Sequence, residues 1–486
     1  MQLSHIALFA AGGLLYAGFC PPRQRGWLLM IASVVTLYWL QPTLTIFYLD
    51  FALPTATLAL AAAVWWVTRP PESPVSREDR LALALLAGLV LALSATRYLA
   101  PELRPTASRA PDVPPVALAL LLLGLAGWAL RRLFGARRGA LTAALIVLVA
   151  LFIVLKTPPL ATGLAAALRG LTGQNQALAA PLDLEWLGFS YVAFRLIHTV
   201  RERQMGKLPA LSLREYVTYI IFFPAITAGP IDRAERFVRD DRALLPGANS
   251  PDEKTAPRLL TAPRLAEAGG RIGMGLFKKF VIADSLALLA LNAANAGQAQ
   301  SAGALWLLLY AYAFRLFFDF SGYTDIAIGL GVLLGFKLPE NFDRPYLKNN
   351  LAAFWQSWHI TLSSWARFYV FSPLSRTLLR RKVNAQAAVF LAQMATMLII
   401  GLWHGVSGGF IVWGVWHGLG LFVHKWWSDH TRKWYLGLNQ KPRLKTAWTA
   451  AGIFITFQFV TLGWVWFALP LETAWRAFLG LFGIAS

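Results

Sequence analysis

The stretch Phe354 to Trp365, "FWQSWHITLSSW", sets His359 beside Trp358 and among Thr361, Ser363 and Ser364, in a chain that is 57% hydrophobic and only 14% charged. A second stretch, "GLWHGVSGG" from Gly401, places His404 between Trp403 and a run of glycines. Imidazole titrates near pH 6.5, so a histidine in such surroundings suits the transfer of a proton to or from a hydroxyl. An ionisable residue at membrane depth is costly and marks a functional position by default. Spacing alone serves that role and a neutral histidine hydrogen-bonded between helices equally well. The other five histidines read differently: His5 and His430 as solvated, His198 beside "RERQ" as interfacial, and His417 of a second "WHG" as structural. His417 and His424 lie two turns apart on one helix face, too far to share an ion without partners. With no HExxH pattern and no cysteine cluster, no metal site is expected. Walker-type phosphate loops are absent, which removes support for an ATPase.

The elements that must hold these side chains are membrane helices. Mean hydropathy is +0.52, and the charged fraction is far below the roughly 25% of soluble proteins. Apolar runs such as Leu81–Ala95, Val116–Leu130, Ala140–Leu155 and Ala447–Leu469 can each core a span, and roughly ten to twelve spans are expected by hydropathy. Forty-five Lys and Arg against 24 Asp and Glu give a net charge of +21. The basic residues gather in short loops, "PPRQR" (21–25), "RRLFGARR" (131–138), "RERQMGK" (201–207) and "RTLLRRK" (376–382). That is the positive-inside pattern of cytoplasmic loops, and no nucleic-acid partner is expected. Spans between the first three clusters alternate if the N-terminus is outside. Cys20 is the single cysteine, so no internal disulfide can form. The apolar run before it reads as a retained first span, because bulky Phe19 stands where signal processing wants a small residue.

Three regions follow: 1–183, transmembrane helices for packing and support; 184–427, a more interrupted region that carries His359 and His404; and 428–486, a C-terminal loop and further transmembrane helices. From about Leu184 glycine, proline and polar residues interrupt the apolar runs. "YVTYIIFFPAITAGPIDR" (216–233) carries Pro224 and Gly229-Pro230 inside a would-be span, and broken backbone at that depth survives only when buried in protein or lining a watery cavity. A cavity is expected in this half. Asp232–Glu267 reads as a long solvent-facing loop with a surface helix. Asp325 of "SGYTDIAIG" and Glu340, Asn341, Asp343 and Arg344 of "PENFDRPY" read as a buried network or a loop salt bridge.

Taken in order, "GFSYVAFRLIH" (188–198), "FFPAITAGPIDR" (222–233), "GMGLFKKFVIADSLA" (273–287), "FFDFSGYTDIAIGLGVLLGFKLPENFDRPY" (317–346), "FWQSWHITLSSWARFYVFSPL" (354–374) and "GLWHGVSGGFIVWGVWHGL" (401–419) resemble the membrane-bound O-acyltransferase (MBOAT) family, in particular its bacterial branches that modify envelope polymers. The resemblance implies an all-α integral membrane protein with about 10–12 transmembrane helices, broken or re-entrant segments and a central tunnel where an activated acyl group meets a hydroxyl. It makes 184–427 the catalytic core and maps the hallmark catalytic histidine onto His404, as the base, and the second onto His359. It makes Trp355, Trp358, Ser363, Trp365, Arg367, Trp403, Tyr323, Asp325, Asn341 and Arg344 candidates for the substrate tunnel. It further implies an acyl-thioester co-substrate, acetyl-CoA or an acyl-carrier protein, no tightly bound cofactor, and a glycan acceptor. The implied setting is the inner (cytoplasmic) membrane, with a periplasmic or membrane partner acyltransferase that finishes the transfer. Acetyl is the leading acyl group; D-alanyl transfer to a teichoic-acid-like polymer is the alternative, and a non-catalytic transporter the reading from another class. Two departures bear on substrate: Phe368 replaces an aspartate of the alginate branch, and "SPLSRTL" (372–378) replaces its Pro-Leu-Gly-Gly turn.

Overall fold

A computed structural model describes residues 2–70, 72–100, 102, 105–134, 138–246 and 256–484. Among them the protein is helical, with a single isolated antiparallel bridge between Phe342 and Trp358. Six helices are long and apolar enough to cross a membrane: Leu49–Thr68, Arg77–Leu99, Gly139–Lys156, Ala302–Leu334, Ala385–His404 and Pro442–Ala468. Leu3–Phe19 and Val113–Ala129 are apolar but shorter. Among the described residues the number falls below the ten to twelve expected, because apolar helices before Leu184, such as Leu3–Phe19 and Arg25–Leu40, are short and part of the chain after it folds into short helices such as Phe189–Gln204 and Leu213–Ile221. The basic cluster at 131–138 lies outside the described side chains.

The chain divides into two compact units, one of residues 1–270 with 327–338 and one of 271–326 with 339–486. In the first, helices carry the outward-facing leucines and isoleucines that lipid favours: Leu118, Leu121, Leu122 and Ile146 are all more than half exposed. Ser76 starts the Arg77–Leu99 helix by accepting the Asp79 N–H at 3.0 Å, while Asp79 takes the Ser76 N–H in return at 3.0 Å, a reciprocal cap for two otherwise orphaned donors. The break at Pro224 is real: the Leu213–Ile221 helix ends and a short turn, Phe223–Ala225, follows. It does not need a watery cavity. Buried Arg195 donates to the carbonyls of Ile220 (2.8 Å) and Ala225 (2.9 Å), so protein satisfies the groups that proline releases.

Two further expectations are corrected in this unit. Ala234–Ala243 is a helix packed inward, with Phe237 against Phe222 and Phe336 and Asp241 bonded to Arg214 at 2.9 Å. Asp241 is buried while Arg239 and Arg242 stay exposed, so the first part of 232–267 is a surface helix with one face packed inward rather than a loop; residues 247–255 lie outside the described ones. His198 is buried rather than interfacial, its Nε2 accepting the Ala234 N–H at 3.1 Å.

In the second unit, glycines set how closely helices approach. A Cβ on Gly401 would come within 2.4 Å of the Phe410 carbonyl oxygen, so Ala385–His404 and Gly408–Gly437 cross backbone to backbone. Gly401→Val is expected to force them apart, costing about 1–3 kcal/mol, read as a lower unfolding temperature in detergent. An unchanged value would show that the crossing tolerates the added methyls.

Candidate active site

His359 is held in an unusual backbone. It sits at the start of the Ile360–Ala366 helix with φ 42° and ψ 54°, the left-handed region that non-glycine residues rarely occupy. Such a conformation costs about 1–3 kcal/mol and persists only where its surroundings over-determine it. Here Asn341 does so. Its carbonyl oxygen accepts the Ile360 N–H (2.9 Å), and its side-chain oxygen accepts both the Thr361 hydroxyl (2.6 Å) and the Thr361 N–H (3.3 Å). The Asp343 N–H donates to the Ser357 carbonyl at 3.0 Å. "PENFD" thus pairs with the chain on both sides of His359 and fixes where the imidazole points. The ring is 3% exposed with Phe320 at 4.7 Å, and neither of its nitrogens bonds to protein among the described residues. His359 lies outside the six candidate spans, and burial pushes its pKa down to about 3, so the ring is neutral at physiological pH.

His404 ends the Ala385–His404 helix and is half-buried. Phe467 stands 4.7 Å from it, Trp413 5.8 Å and Phe410 5.9 Å, between ring centroids. Trp403 connects the two histidines, 6.0 Å from His359 and 4.4 Å from His404. From Trp413 the series continues to His417 at 4.8 Å and from there to Trp355 at 5.2 Å. The Trp355 indole N–H donates to His417 Nδ1 at 3.4 Å, which leaves the proton of the neutral ring on Nε2. His417 is fully buried in this aromatic packing, the setting of a structural histidine. Segments far apart in sequence have therefore built one apolar wall around two imidazoles, where electrostatic interactions are stronger than in water.

An ion network flanks the wall. Gly275 and Gly322 let two helices touch, since a Cβ on Gly275 would lie 2.6 Å from the Gly322 carbonyl oxygen. That contact brings Arg271 (2.7 Å) and Lys278 (2.6 Å) onto buried Asp325. Arg271 also bonds Glu340, next to Asn341, and Lys279 bonds Asp319. Three cations meet three carboxylates, so the network is neutral and reads as a brace for the "PENFD" segment. Asp325→Ala strips a partner from two half-buried cations; we expect a stability loss of about 1–3 kcal/mol, with Asp325→Asn losing less. Equal unfolding temperatures for wild type and Asp325→Ala would remove the brace.

Of the residues singled out in the sequence, His359, His404, Trp355, Trp358 and Trp403 lie in the aromatic wall, and Asn341 backs it. Trp358 packs on Phe342, Phe354 and Trp464. Tyr323 is buried, and Ser363 bonds the Trp358 carbonyl at 3.0 Å. Trp365 packs on Tyr369. Arg344 and Arg367 are exposed. The sequence reading missed Phe320, Trp413 and Phe467, apolar residues whose only mark is contact across long chain separations. "GVSGG" (405–409) also spells GxSxG, but Ser407 is exposed, between two helices, not on the strand-to-helix turn of a serine nucleophile.

Against known proteins, the sequence model of the membrane-bound O-acyltransferase family matches residues 140–465. The chain is 34% identical over 303 residues to "Teichoic acid D-alanyltransferase" of Streptococcus thermophilus, covering 60% of this chain and 70% of that protein. It is 34% identical over 304 residues to "Probable alginate O-acetylase AlgI" of Pseudomonas aeruginosa, covering 62% of this chain and 52% of the relative. It is 35% identical over 271 residues to "Peptidoglycan O-acetyltransferase" of Helicobacter pylori, covering 56% and 47%. The match thus spans about half the length of the last two relatives.

Proposed function

The chain belongs to the membrane-bound O-acyltransferase family, and from that premise we propose that it transfers an acyl group, acetyl in the leading reading, from a thioester to hydroxyls of a cell-envelope polymer. The observation that carries this reading is the pair of imidazoles on either side of Trp403, one of them held in a strained backbone. His404 is the less buried of the two and is assigned the base. It takes the proton of the acceptor hydroxyl, and the oxygen attacks the thioester carbonyl carbon. A carbon–oxygen bond forms, the carbonyl becomes an oxyanion, and its collapse breaks the carbon–sulfur bond. The departing thiolate takes the proton back from His404 and leaves as a thiol. His359, neutral and with its ring nitrogens free of protein partners among the described residues, has one N–H to offer and is assigned to orient the acceptor or bind the oxyanion.

The thioester donor, acetyl-CoA or an acyl-carrier protein, acts as co-substrate. The acceptor is a glycan, the setting the inner membrane, and a periplasmic or membrane partner finishes delivery. D-alanyl transfer is kept as a second reading because a D-alanyltransferase is among the relatives. The test is mild alkaline release of ester-linked acids from the envelope of a deletion strain carrying wild type or His404→Ala at matched levels. Acetate restored only by wild type supports the leading reading, D-alanine the second, and equal restoration by both removes the catalytic reading.

A further inference from the structure

The second unit contains a surface that the chemistry does not use. The Gly408–Gly437 helix turns through Leu438–Gln440 into Pro442–Ala468, itself a candidate span. These helices have 30 and 27 residues, about 45 Å and about 40 Å at 1.5 Å per residue, against a hydrocarbon core of about 30 Å. The second, a candidate span, therefore extends about 10 Å beyond the core. The emerging end is where they join, since Lys441, Arg443 and Lys445 crowd that end of the second helix. Trp434 and Trp448 pack edge to face at 5.0 Å and hold the hairpin closed, with Leu438 buried at its turn.

The hairpin's outer surface has two characters. On a helix of 3.6 residues per turn, Trp426, Trp427, His430 and Trp434 share one face, and Lys425, Arg432 and Lys433 the face beside it. Trp426, Trp427 and Trp434 are 49%, 47% and 48% exposed. Between 425 and 447 there are six Lys and Arg and one acid, Asp429, which is taken by Lys425. Arg432, Lys433, Lys441, Arg443 and Lys445 have no carboxylate partner among the described residues. Indoles seek the headgroup level of a bilayer, and unpaired cations next to a span are drawn to an anionic leaflet. Rings and cations occur here together, on a hairpin whose second helix is a candidate span that begins among these cations.

We propose that the 425–447 hairpin lies in the headgroup layer of the cytoplasmic leaflet and binds anionic phospholipid headgroups there. The inference stands apart from acyl transfer, and its test reads lipid contact alone. A single reactive thiol is placed at exposed Ser428 (Ser428→Cys in a Cys20→Ser chain) and labelled with an environment-sensitive dye. The full chain is then reconstituted in nanodiscs of phosphatidylcholine, with or without a third phosphatidylglycerol. The expected result is a blue shift with the anionic lipid that molar salt reverses. The shift should also be lost in K433E/K441E/R443E/K445E. Identical emission in both discs, or a shift that survives salt, overturns the proposal. A shift that appears only on adding an acidic acyl-carrier protein overturns it as well, since the hairpin is then a protein-docking surface. The salt titration uses the chain with its native hairpin charges, so it decides the matter even if the charge-reversed variant fails to fold.

Discussion

His404→Ala is expected to leave a folded, membrane-inserted protein with acyl-transfer turnover reduced by about 10²–10⁴-fold, the usual contribution of a positioned general base. The ring touches Trp403, Trp413, Phe410 and Phe467, so alanine also opens a gap in the wall. His404→Gln keeps most of the volume and cannot accept and return a proton, which separates packing from proton transfer. Both variants should lose turnover by that factor, with His404→Gln unfolding close to wild type. Turnover in His404→Gln within a few-fold of wild type would move the base elsewhere, and His359 would be the next candidate. The readout is ester formation per mole of folded protein, with folding checked by gel filtration in detergent.

Asn341→Leu is expected to have the second largest effect, although Asn341 is given no part in the chemistry. Its side-chain oxygen accepts from Thr361, and the carbonyl beside it takes the Ile360 N–H. Leucine has nearly the same volume and cannot accept, so the Thr361 N–H and hydroxyl lose a buried partner, at about 1–3 kcal/mol. His359 is then free to leave its left-handed backbone. Displacements of about 1 Å at a reacting centre cost on the order of 10²-fold in rate, and a loss of that size in kcat is the expected outcome, with the KM for the thioester much less affected. Asn341→Asp retains an acceptor for the Thr361 hydroxyl and should recover part of the rate. If Asn341→Leu folds with unchanged kcat, the "PENFD" segment does not position His359.

The family features of the site were legible in the sequence because they are local. "FWQSWHITLSSW" and "GLWHG" put an imidazole next to an indole within a few residues, and any fold that keeps them at membrane depth gives them the same immediate neighbours. Composition determined the class equally directly: a chain 57% hydrophobic and 14% charged cannot be covered by water-facing surface, so helices with satisfied backbones must meet lipid. Proline at 224 predicted a helix break, and the break is there.

Tertiary structure decided the rest, since those interactions join residues with no shared local pattern. Nothing in "PENFDRPY" says that Asn341 will clamp Thr361, twenty residues on, or that the strain at His359 is sustained by that pairing. Phe467 reads as one more apolar residue of a span until it is found against His404, sixty-three residues earlier in the sequence. Charges mislead for the same reason: a sequence gives their sign but not their partners. Asp241 and Asp232 read as solvent-facing and are buried against arginines. The sequence by itself determined which side chains could do chemistry in a membrane. Only the packed chain decided which of them meet, because the free energy of placing a charge or an imidazole depends on what desolvates it and what bonds to it.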